Sequence, residues 1–173
     1  MDRSTLHTVI LSIVIVLAQA IVFNHVCLFE VAIPFAFIYI LLRLPAGLNV
    51  NWVLTVGFFL GLIIDIFSDT YGMNALACTI LAACRRPILR LYIPPEEESN
   101  PLETSMHTFG TEIYAKYLLT MTAIYCCLIF SIEAFSFFNP LQLILRIVSS
   151  SILTWIIMMG IDSLVSNQFG RKM

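Results

Sequence analysis

The sequence predicts an all-α integral membrane protein, with six transmembrane helices in one bundle and both termini in the cytoplasm. Three observations lead there. Of 173 residues, 60% are hydrophobic and only 12% are charged, and the mean hydropathy is +0.93. A body this small cannot hide so much apolar surface from water. Six apolar runs approach the ~20 residues that a helix needs to cross the hydrocarbon core. The basic residues then fall almost wholly on one side of the membrane. The same composition excludes disorder, which needs low hydrophobicity and high charge. The formal net charge of −2 offers no basic face to nucleic acid. Residues 1–173 read as a single polytopic domain.

The first span runs from Leu6 to Phe23. Arg3, the run Val9 to Leu17 and Ala18-Gln19-Ala20 have the form of a signal peptide, but the apolar run continues past Ala20. The second span, Val26 to Leu42, opens near Glu30 and contains Pro34. The third is Trp52 to Phe67. The fourth begins near Gly72 and is purely apolar only to Cys84; Arg85, Arg86 and Pro87 follow. It reads as a membrane helix ending near Arg86, then a short interfacial stretch to Tyr92. The alternative is one helix kinked at Pro87. The fifth span is Tyr114 to Ile132, and the sixth, Leu141 to Ile161, is interrupted by Arg146. Pro94 to Pro101 starts the one long connection, an exposed acidic cytoplasmic loop over residues 93–113 carrying Glu96, Glu97 and Glu98.

With six spans, Arg3, Arg43, Arg85, Arg86, Arg90, Lys116, Arg171 and Lys172 share one side, and Arg146 alone falls on the other. The basic side is cytoplasmic by the positive-inside rule. Arg85, Arg86 and Arg90 then lie where they can bind anionic lipid. The outer layer receives Glu30, Asp65, Asp69, Glu133 and Arg146. Charges at membrane depth are costly and usually face protein or water. Asp65 and Asp69, four residues apart on one helix face, are the candidates for an interhelix ion pair with Arg146; the other readings are charges that snorkel to the interface and an ion- or substrate-coordinating site.

Gly57-x-x-x-Gly61-x-x-x-Asp65 lies on the third helix, and Ala75, Thr79 and Ala83 repeat the spacing on the fourth. Small residues four apart let helices approach closely in lipid. Their first use is packing within the chain; docking of a partner or of a second copy is the other. Gly57, Gly61, Asp65, Asp69 and Gly72 are the packing or partner-contact candidates. Cys27, Cys78, Cys84, Cys126 and Cys127 lack metal-ligand spacing and read as free, packed thiols. The three histidines are scattered, and no metal or other cofactor is expected. No G-x-S-x-G, H-E-x-x-H or P-loop is present, so no enzyme activity is expected. Ser149, Ser150 and Ser151 sit inside the sixth span, where serines bond back to the backbone or across to another helix.

The stretch Asn51 to Tyr92 reads NWVLTVGFFLGLIIDIFSDTYGMNALACTILAACRRPILRLY. Its core, Gly57 to Asp65, followed by Ser68, Gly72 and an Ala-rich helix, resembles the rod shape-determining protein MreD family. The resemblance covers about a quarter of the chain. It implies a non-enzymatic scaffold of the bacterial inner membrane, part of the cell-elongation machinery. The partners it implies are an MreC-like bitopic protein, and a RodA-type glycosyltransferase with its class-B penicillin-binding protein. It also implies a bundle similar to the substrate-binding membrane subunits of energy-coupling-factor vitamin transporters. Such a transporter subunit is the alternative function, and it would need polar and aromatic groups converging in an outer cavity.

Overall fold

The computed structural model of the chain describes residues 12–19, 33–92, 104, 110–133 and 140–170. Among these residues every regular element is helical, in six segments. They are α1 (12–18), α2 (Ile38–Arg43), α3 (Val50–Ser68), α4 (Met73–Tyr92), α5 (Thr111–Glu133) and α6 (Pro140–Gly170). Among the described residues, three stretches are long and apolar enough to cross a membrane: Val50–Ser68, Thr111–Glu133 and Leu141–Val165. The ends of the expected first span, Glu30, Glu96 to Glu98 and the turn 134–139 lie outside the described residues.

The expected continuous helix from Val26 to Leu42 is corrected. Residues 33–37 are not helical, and only Ile38–Arg43 forms α2. Pro34 is the cause: it has no N–H to donate and turns the preceding residue away from the helical region. The helix restarts through tight turns in which Tyr39 N–H bonds Ala36 C=O at 3.1 Å and Ile40 N–H bonds Phe37 C=O at 3.1 Å.

Irregular backbone at membrane depth is tolerated only where protein satisfies its polar groups. Here side chains do so. Ile33 N–H donates to Ser150 Oγ at 3.0 Å, and Phe35 N–H to Thr154 Oγ1 at 3.1 Å. Ala36 N–H donates to Gln19 Oε1 at 2.9 Å, while Gln19 Nε2 donates to Pro34 C=O at 3.0 Å. The segment is the centre of the protein: Ala36, Phe37, Ile38, Tyr39, Leu41 and Leu42 are fully buried. Tyr125 packs edge-on against Phe35 and Phe37, with ring centroids 5.2 and 5.8 Å away.

α6 is therefore built inside out. Its inward face carries Ser150, Thr154 and Asp162, all buried. These meet Ile33, Phe35 and Tyr39 in matching order, so α2 and α6 run parallel. Its outward face carries Leu141, Leu145, Val148, Ile152 and Ile156, all exposed. A helix with a polar inner stripe and an apolar outer one suits lipid, where hydrogen bonds and close packing hold helices together. Ser150→Ala and Thr154→Val are each expected to destabilise the fold by about 1 kcal/mol. Unfolding of the purified chain in mixed micelles checks this.

α4 corrects the expected stop near Arg86. It runs unbroken through Pro87 to Tyr92. Proline removes one bond, to the carbonyl four residues earlier, and packing between neighbouring helices compensates. With Arg85, Arg86 and Arg90 along it, α4 is not among the three stretches apolar enough to span alone. It is sandwiched between α3 and α5.

Candidate functional site

At one end of the bundle α3 gives way to α4. Asp69 closes α3 in the left-handed conformation, φ 53°. Gly72 follows at φ 77°, a conformation that disfavours any side chain. Asp65, only 4% exposed, turns back across this junction. Its Oδ1 accepts from Thr70 Oγ1 at 2.6 Å, from Asn74 N–H at 3.0 Å and from Asn74 Nδ2 at 3.0 Å. Its Oδ2 accepts from Ala75 N–H at 2.8 Å. Asn74 and Ala75 are the second and third residues of α4. Their amides have no partner within their own helix, and the positive end of the helix dipole favours an anion there. Asp65 is thus an N-cap supplied by the preceding helix. Tyr125 on α5 completes the network by donating to Asn74 Oδ1 at 2.5 Å.

The glycines explain how the carboxylate reaches that position. A Cβ on Gly61 would lie 2.5 Å from Ala75 Cα and 2.5 Å from the Asn74 carbonyl. One on Gly57 would meet the Cys78 carbonyl at 3.0 Å and Ala82 Cβ at 3.1 Å. Gly57, Gly61 and Asp65 therefore serve α3–α4 packing. Asp69 and Gly72 shape the turn, and a Cβ on Gly72 would touch nothing.

The expected ion pair from Asp65 or Asp69 to Arg146 is not formed. Asp65 is taken up by α4, and Arg146 Nη1 instead lies 3.8 Å from Glu133 Oε1. Both side chains are substantially exposed, at 39% and 48%. The α5–α6 connection sets this pairing, because Glu133 ends one helix shortly before α6 begins. Arg146→Gln is expected to change stability by less than about 1 kcal/mol in the same unfolding assay.

The opposite end is basic. Asp162, 1% exposed, accepts from Tyr39 Oη at 2.7 Å and from Tyr114 Oη at 3.4 Å. Arg43 lies 4.0 Å from the same carboxylate and donates to Tyr39 Oη at 2.7 Å. Arg85, expected at the lipid surface, is buried instead. It donates to the carbonyls of Leu44 and Pro45 and to Thr104 Oγ1. Arg85 thus ties α4 to the chain just past the carboxyl end of α2, at the C-cap Leu44 and at Pro45. Thr104, inside the expected exposed loop, is itself fully buried. Arg86 is half-buried and Arg90 exposed, and both have bonding partners. Cys78, Cys84, Cys126 and Cys127 are free.

Asn74, Tyr125, Asp162, Tyr39 and Gln19 carry these networks without having been singled out from sequence. Asp162 had a readable signal: with Ser150 and Thr154 it marks one helix face at spacings of four and eight. Gln19 had none beyond being polar in an apolar run. Comparisons with protein families, curated proteins and solved structures find no match for this chain.

Proposed function

We propose that the chain is a non-enzymatic, six-span scaffold of the bacterial inner membrane, acting in cell elongation as its resemblance to the MreD family implies. Its partners are an MreC-like bitopic protein and, in the same complex, a RodA-type glycosyltransferase with a class-B penicillin-binding protein. The end carrying Arg43, Arg85, Arg86, Arg90 and Lys116 faces the cytoplasm, together with both termini, by the positive-inside rule. There Arg86 and Arg90 meet anionic lipid.

One observation carries the scaffold reading. The buried polar groups, Asp65 foremost, bind the ends of neighbouring helices. In transporters, interrupted helices present free backbone ends to a substrate. At the interruption before α2 the amides of Ile33, Phe35 and Ala36 are already bonded to Ser150, Thr154 and Gln19. This favours a scaffold over the vitamin-transporter subunit. The surface offered to partners is the apolar exterior, which among the described residues is most extensive on α3 and α6.

The test is affinity capture of the tagged chain from bacterial membranes in mild detergent, with mass spectrometry of what is retained. Recovery of an MreC-like protein and cell-wall synthases is expected. Recovery of transporter ATPase subunits in their place would overturn the reading.

A further inference from the structure

Among the described residues α3 is the shortest of the three apolar spans, at 19 residues against 23 and 25. Its ends are fixed. A left-handed, exposed Asp69 closes one of them, and exposed Asn51 lies in the first turn of the other. The exposed large apolar side chains of α3 run from Trp52 to Phe67, about 22 Å of helix rise. Those of α6 run from Leu141 to Leu164, about 34 Å. α4 limits the same flank as α3. Gly61 meets Ala75, and Gly57 meets Cys78 and Ala82, so the antiparallel register brings Arg86 beside the start of α3. Arg146 interrupts the α6 band near its outer end, where its long side chain reaches Glu133 at the end of α5.

The hydrocarbon core of a bilayer is ~30 Å thick. A span longer than the core tilts to fit it. A shorter one thins the bilayer, oligomerises or relies on flanking side chains that snorkel. Asn51 and Asp69 are too short to snorkel far. Close association with another helix needs small residues, and those of α3, Gly57 and Gly61, are turned to α4. The exposed face is bulky instead: Trp52, Phe58, Phe59, Leu62, Ile66 and Phe67. Lipid chains suit it better than a second helix.

We propose that the bilayer is drawn thin beside α3, where lipids with short acyl chains are preferred, and keeps its ordinary thickness beside α6. Trp52 and the exposed Tyr71 mark the two edges of the thin belt, as interfacial aromatics do. This narrows the surface for protein partners to α6. The inference rests on the membrane-spanning reading and not on the identity of those partners.

The test uses the purified full chain in vesicles of dimyristoleoyl, dioleoyl or dierucoyl phosphatidylcholine, with brominated analogues of each lipid as quenchers of tryptophan fluorescence. Trp52→Phe and Trp155→Phe remove the two native tryptophans. Phe59→Trp then reports on the α3 face and Ile152→Trp on the α6 face, both positions being exposed. Quenching at the first is expected to show about a twofold preference for the dimyristoleoyl over the dioleoyl lipid. At the second, the dioleoyl lipid should bind at least as well. The chain without substitutions should give its highest Tm in the dimyristoleoyl lipid. The same chain-length preference on both faces, or a Tm highest in either longer lipid, would overturn the proposal. Failure to insert into any of the vesicles would overturn the spanning reading itself.

Discussion

Gly61→Ala is expected to destabilise the fold by about 3 kcal/mol, near the upper end of overpacking costs. The added methyl would sit 2.5 Å from both Ala75 Cα and the Asn74 carbonyl. Those atoms are backbone, at the start of α4, and no rotamer change can move them aside. The whole first turn of α4 would have to shift, taking Asn74 away from Asp65 and Tyr125. Gly57→Ala should cost less, about 1 kcal/mol, since its nearest neighbours lie at 3.0 and 3.1 Å and need yield only slightly. Gly160→Ala, with nothing within 4 Å, should be neutral or mildly stabilising. Unfolding of the three variants in mixed micelles checks the order. A partner-docking role for the glycines would give a different pattern: intact stability at Gly61 and lost capture of the partner.

Asp65→Ala is expected to cost on the order of 3 kcal/mol, because it strands several buried donors at once. Thr70 Oγ1 and the amides of Asn74 and Ala75 lose their acceptor, and Asn74 Nδ2 keeps only Thr70 Oγ1. Asp65→Asn should cost less. Its carbonyl oxygen can still accept, but its amide group would face donors, and the negative charge at the helix terminus is gone. Amide exchange in the first turn of α4 should rise in both variants and more strongly in the alanine.

The helical class and the apolar runs were legible because they depend on composition and length. α3 and α5 fall within about three residues of their expected bounds, since long periodic segments carry their own signal. The break before α2 was not legible. Pro34 was visible, but a proline can start, kink or interrupt a helix. Which one occurs depends on Ser150 and Thr154, more than a hundred residues away. Likewise Arg85 and Arg86 look alike in sequence. Only the helix phase decides that Arg85 points into the bundle. Asp65 was identified as important, but its partner was chosen by charge. In lipid the stronger claim came from unpaired amides nine and ten residues ahead in the chain, and helix ends compete for carboxylates as well as cations do. Arg146 then took the nearest acid, Glu133.

The central claim is that buried polar side chains hold helix ends together, with the Asp65–Asn74 contact as its strongest case. A double-mutant cycle tests it most directly: Asp65→Ala, Asn74→Ala and the pair, with unfolding free energies measured in mixed micelles. The account predicts a coupling of about 1–3 kcal/mol between the two sites, as for residues in one hydrogen-bond network. Additivity within about 0.3 kcal/mol would contradict it and return Asp65 to the candidates for contact with a partner.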